Sequence, residues 1–119
     1  MIHAIEGVSE KGIAGTLRAR NGQRWRHGEG GYDPGMLDGG LQLARLWGFH
    51  KLGQATLPMR VGSIRVFADA AAASGETPIE CRISASAGTN RILCDISFYS
   101  GKDLLAMMTG VEMYALNGL

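Results

Sequence analysis

Residues 32–53 read YDPGMLDGGLQLARLWGFHKLG, and the fold turns on how this stretch is read. Asp33 suits an N-cap and Pro34 the first helical position, where its missing N–H costs nothing. Leu37, Leu41, Ala44 and Leu46 with Trp47 recur at helical spacing. His50 and Lys51 place positive charge where a helix favours it, and Gly53 is a C-terminal stop. The spacing therefore predicts one helix from Asp33 to Gly53. Within it sits a single carboxylate, Asp38, followed by Gly39 and Gly40. Each glycine costs a helix about 1 kcal/mol against alanine, so packing or a ligand must compensate.

The flanking sequence alternates as strands do. Ile2–Val8 and Ile13–Ala19 form a first pair around the turn SEKG. After the helix, Leu57, Met59 and Val61 share one face, whereas Ile64, Val66 and Ala68 share the opposite register. A bulge at Gly62–Ser63 would reconcile the two. Ile79, Cys81 and Ile83 alternate in one strand, and Ile92, Cys94, Ile96 and Phe98 in the next. The last segment, Leu104–Leu116, is apolar on both faces at several positions, which predicts a central or doubly covered strand. One helix cannot cover two sides of a sheet. The economical arrangement is α+β: a curved antiparallel sheet around the helix, the hotdog fold. In that fold, positions 39 and 40 allow the facing sheet to approach the helix.

The chain of 119 residues, 45% hydrophobic and 19% charged, suits a single domain, residues 1–119. A net charge of +1 gives no field that would recruit nucleic acid or an anionic membrane. MIHAIEGVSEKG lacks the basic and apolar regions of a signal peptide, and no apolar run approaches the ~20 residues of a membrane span. The expected location is the cytoplasm, where Cys81 and Cys94 stay reduced. If the intervening turn centres on Ala87 and Gly88, the two cysteines face each other across a hairpin; two small core residues are the simpler reading. No cysteine or histidine spacing suggests a metal site. Arg18, Arg20, Arg24 and Arg26 around Trp25 read as a solvated strand face and turn, with docking of an acidic partner or a phosphate as the alternative. Met59, Met107, Met108 and Met113 suit core packing.

The segment Asp33-Pro34-Gly35-Met36-Leu37-Asp38-Gly39-Gly40-Leu41-Gln42 resembles the HPxLLDxxLQ pattern in the second hotdog of polyketide synthase dehydratase domains and their polyunsaturated fatty acid synthase relatives. LPMRVGSIRVFADA is similar to the strand that follows that helix, CDISFYSGKDLLAMMTGVEMYAL to the closing hairpin, and IEGVSEKGIAGTLRA to the opening strands. The resemblance spans nearly the whole chain and identifies it as half of a double hotdog, the C-terminal half. It implies removal of water from a β-hydroxyacyl thioester carried on the phosphopantetheine of an acyl carrier protein, with no cofactor and no metal. Asp38 would be the acid that protonates the departing hydroxyl. Gln42 would hold it, and Leu37, Gly39, Gly40 and Leu41 would border the substrate. The spacing is physically apt, since residues four apart are neighbours on a helix face. A carboxyl that donates a proton near neutrality must also be desolvated, as an apolar tunnel would do.

The base that the resemblance requires is a histidine in an HxxxGxxxxP motif. His3 and Gly7 match its first half, but Gly12 stands where proline belongs. His27 reads as a loop residue and His50 as a helix-end cation. The YGPxF segment that leads into such opening strands is absent, so the chain is expected to start just after it. The partner would be a second hotdog carrying the histidine, or a second copy in a homodimer. A hotdog thioesterase acting on acyl-CoA is the rival enzyme reading, and a non-catalytic pseudo-dehydratase serving assembly or carrier-protein binding is the other.

Overall fold

A computed structural model describes residues 2–18, 34–67 and 79–116. Ala19, Arg20, Arg24, Trp25, Arg26, His27, Asp33 and Ala68 lie outside the described residues. The elements run β1 (Ile2–Ser9), β2 (Gly12–Leu17), α1 (Pro34–Leu52), β3 (Thr56–Arg60), β4 (Ser63–Val66), β5 (Ile79–Ala87), β6 (Arg91–Ser100) and β7 (Asp103–Ala115). All strands join one antiparallel sheet in the order β1-β2-β5-β6-β7-β3, with β4 also paired to β7. One face of the sheet curls around α1 and holds the core. The other carries the polar positions, including Glu80 paired with Arg82 and Glu112 with Arg91. The α+β hotdog expected from the sequence is thus the fold.

The helix shows why its glycines are there. Its inner stripe is Met36, Leu37, Gly40, Leu43, Ala44, Trp47 and Gly48, all buried. A Cβ on Gly40 would lie 2.6 Å from Phe98 Cζ, and one on Gly48 would lie 2.5 Å from Ile92 Cδ1. The helix therefore rests along β6 at two points two turns apart. A Cβ on Gly39 would meet the Leu17 side chain at 3.2 Å. Phe98 fits beneath because its cross-strand neighbours, Cys81 and Ala106, are small. The helix ends as read: Gly53 has φ +68° and its N–H donates to the Phe49 carbonyl at 2.8 Å, an αL cap that favours glycine. At that end, Trp47 Nε1 donates to the Ser9 carbonyl at 2.9 Å. Lys51 pairs with Glu10 and holds its carboxyl below the usual range. Both contacts pin the β1–β2 turn to the helix.

Three expectations shift. The strand break between 57 and 66 falls earlier than Gly62: Pro58 pairs with Met113 and Arg60 with Glu112, so the extra residue is Met59. Proline is tolerated there because β3 is an edge strand. Gly62 serves instead as a close approach, its N–H donating to the Gly110 carbonyl at 3.1 Å. Opposite, β7 inserts an extra residue at Thr109–Gly110, where Gly110 takes φ +63° and its N–H donates to Asp95 Oδ1 at 3.0 Å. Such bulges bend a sheet. Second, Leu46 points outward, 45% exposed, because the sheet-facing stripe runs through Gly40, Leu43, Ala44, Trp47 and Gly48 and leaves position 46 off it. Third, the hairpin turns at Thr89–Asn90, so Cys81 pairs with Phe98 and Cys94 with Ala85. The cysteines stand four positions out of register and are free and buried.

Burial pushes both thiols up to about 12, with the Cys94 charge a lesser cause for Cys81 and the Asp95 charge for Cys94. Neither should react with a disulfide reagent in the native state at about pH 8, because the nucleophile is the thiolate. Both should react once the chain is unfolded in guanidinium. Rapid labelling of either thiol in the folded protein would contradict the packing.

β7 is central, between β6 and the β3–β4 edge, as its apolar character predicted. Met108 and Met113 are core residues, Met107 is half-buried and Met59 is exposed on the edge. No described helix is long and apolar enough to cross a membrane.

Candidate active site

The outer face of α1 is the inverse of its glycine stripe. Gly35, Asp38, Gln42, Arg45, Leu46, Phe49 and His50 are all exposed along it. Asp38 and Gln42 are brought together: Gln42 Nε2 donates to Asp38 Oδ2 at 2.9 Å. One turn of helix fixes this geometry, and the side-chain amide leaves the other carboxyl oxygen open to a second partner. Leu41 is half-buried at the flank of the pair. Leu37, Gly39 and Gly40, expected to border a substrate, are instead occupied from the inside. Leu37 is 8% exposed in the core, and the two glycines admit Leu17 and Phe98 of the chain's own sheet. They set how deep the helix sits rather than what touches its outer face.

His50 lies twelve residues along the helix from Asp38, about 18 Å by helical rise, and His3 is exposed on β1 next to Ile2. Among the described residues no group of three or more His, Cys, Asp or Glu could hold a metal ion.

Beside Gln42 opens a groove of about 300 Å³, lined by Ile2, Gln42, Arg45, Leu46, Phe49, Ala55 and Thr56. Its walls come from β1 and from the approach to β3, the two ends of the sheet order, which the curl brings to the same side of the helix. A second, apolar groove of about 620 Å³ runs between β1 and α1, with Ile5, Val8, Leu46 and Trp47 along it and His50 at its rim. β1 supplies three apolar side chains to this side because it is bulged twice. The ladder pairs Ile2 with Leu17, Ile5 with Gly15 and Val8 with Ile13. A spacing of three on β1 thus matches a spacing of two on the buried face of β2. Sequence reasoning missed both grooves. The available signal was the spacing of Gly40 and Gly48, which marks the sheet-facing stripe and so places Leu46 and Phe49 outside.

The chain is thus of the hotdog class, with a carboxylate and its amide partner presented outward beside uncovered apolar surface. Comparison with known families narrows the class. The family model described as the polyketide synthase dehydratase N-terminal domain matches residues 1–118, and the chain belongs to the polyketide synthase dehydratase family. No curated protein matches it. The family match does not carry the placing of this chain as the C-terminal hotdog, which rests on the Asp38–Gln42 pattern.

Proposed function

We propose that this chain supplies the acid half of a dehydratase site, as the second hotdog of a double hotdog. Asp38 protonates the β-hydroxyl as it leaves, and Gln42 holds the carboxyl in position. The base that removes the α-proton is a histidine on the facing hotdog, either a separate module or a second copy of the chain. The substrate is a β-hydroxyacyl thioester on the phosphopantetheine of an acyl carrier protein, and the product is the α,β-enoyl thioester. The observation that carries this reading is the 2.9 Å bond from Gln42 to Asp38 on a face where Leu46 and Phe49 are 45% and 58% exposed.

Exposed apolar side chains around a carboxylate fit a surface that another module covers. In the single chain Asp38 is itself exposed, so the dry surroundings that an acid needs come from that covering. Leu41 is the residue left beside the pair to meet the acyl chain. Leu37, Gly39 and Gly40 support the helix from beneath.

The test offers the histidine-bearing complex two substrates, a saturated acyl-CoA and a β-hydroxyacyl thioester. Enoyl product from the second, with the first untouched, supports the reading. Hydrolysis of the first points to a thioesterase, and carrier-protein binding with no reaction of either points to a role in assembly.

A further inference from the structure

Gln42 has a second neighbour besides Asp38: it is the first residue of the groove that continues through Leu46 to Phe49. At 1.5 Å per residue, Gln42, Leu46 and Phe49 lie about 6, 12 and 16 Å along the helix from Asp38. The opposite walls, Ile2 and Ala55, are apolar, and Thr56 beneath is fully buried. A hydrocarbon chain anchored by its β-hydroxyl at Asp38 and running toward the helix C-terminus would first meet these side chains several carbons beyond the reacting centre. A short acyl group would not reach them.

Resting on the proposed dehydratase reading, we infer that Leu46 and Phe49 form an acyl-length selector: the groove takes the distal carbons of a medium or long aliphatic chain. Continuity with the Asp38–Gln42 pair is what assigns an acyl chain as occupant, because the same amide lines the groove and bonds the acid. Arg45 is the charged residue of the lining and lies on the exposed face of the helix. The selector acts by burying methylene groups, so its effect grows with each carbon past the point where Leu46 is reached.

The experiment is calorimetric binding of S-butyryl and S-dodecanoyl pantetheine to the complete domain, with the facing hotdog in place; neither thioester has a β-hydroxyl to lose, so no turnover intervenes. The parent is compared with Leu46→Trp, Phe49→Ala and Asp38→Asn. The dodecanoyl thioester is expected to bind the parent at least about tenfold more tightly than the butyryl one. Leu46→Trp, which fills the groove, should erase that ratio and leave butyryl binding within about twofold, a split that general misfolding would not produce. Phe49→Ala should shrink the ratio by removing one wall, and Asp38→Asn should leave it in place.

Equal affinities in the parent, or a ratio untouched by Leu46→Trp, would overturn the selector, as would butyryl and dodecanoyl binding falling together. An intact ratio combined with undiminished dehydration by Asp38→Asn would instead refute the acid while leaving the groove as an acyl site. If the face binds protein rather than lipid, neither thioester binds and the inference fails.

Discussion

Asp38→Asn is expected to lower dehydration by the complete, histidine-bearing domain by about 10²–10⁴-fold, the usual contribution of a general acid. Asparagine has the same shape as aspartate and can still pair with Gln42, but it has no acidic proton to give the departing hydroxide. The side chain is exposed and accepts from one amide, so stability should change by no more than about 0.5 kcal/mol. Loss of turnover in a protein with unchanged melting would therefore report on chemistry. Gln42→Ala should act more mildly and on kcat, because it frees the carboxyl to rotate without removing the proton donor. Turnover of Asp38→Asn equal to that of the parent would refute the assignment.

Gly40→Val is expected to destabilise the fold by about 3 kcal/mol, at the upper end of overpacking effects. The new Cβ would stand 2.6 Å from Phe98 Cζ, 2.8 Å from Phe98 Cε1 and 3.0 Å from Ile96 Cγ2. Phe98 is fully buried, with Cys81 and Ala106 on either side of it. The ring has little room to retreat, and the helix must lift. Helix propensity runs the other way, since valine is a better helix former than glycine by a few tenths of a kcal/mol, and the clash outweighs it. Phe98→Leu supplies the internal check. Alone it should destabilise by enlarging the space beneath the helix. Combined with Gly40→Val it should recover part of the loss, because the added valine carbons occupy space that the shorter leucine vacates. Strict additivity in chemical denaturation would show that the two positions do not touch.

The parts of this molecule that could be read from sequence are those written locally. The helix, its glycine stop and the Asp38–Gln42 neighbourhood follow from a period of 3.6 residues and need no tertiary information. The central place of β7 follows from its two-sided apolar character. The register of β5 on β6 does not: a turn two residues later moves every pairing by four positions, which separates Cys81 from Cys94. The bulge beside Pro58 was foreseeable as a phase change but not in position, since either Met59 or Gly62 could absorb it.

The orientation of Leu46 was lost because glycines, invisible to a hydrophobic pattern, define the buried stripe. The groove beside Gln42 was legible only on its helix side, through the spacing of Gly40 and Gly48. Its walls come from Ile2 and from Ala55 and Thr56, at the two ends of the sheet order, and only the curl of the sheet brings them together.

The most direct measurement is a crystal structure of the complete domain bound to a non-hydrolysable β-hydroxyacyl amide of pantetheine. The account predicts the β-hydroxyl oxygen within about 2.6–3.2 Å of an Asp38 carboxyl oxygen, Gln42 still bonded to the other, and the facing module closed over both. An inhibitor bound with its hydroxyl elsewhere, and Asp38 open to bulk water, would contradict it.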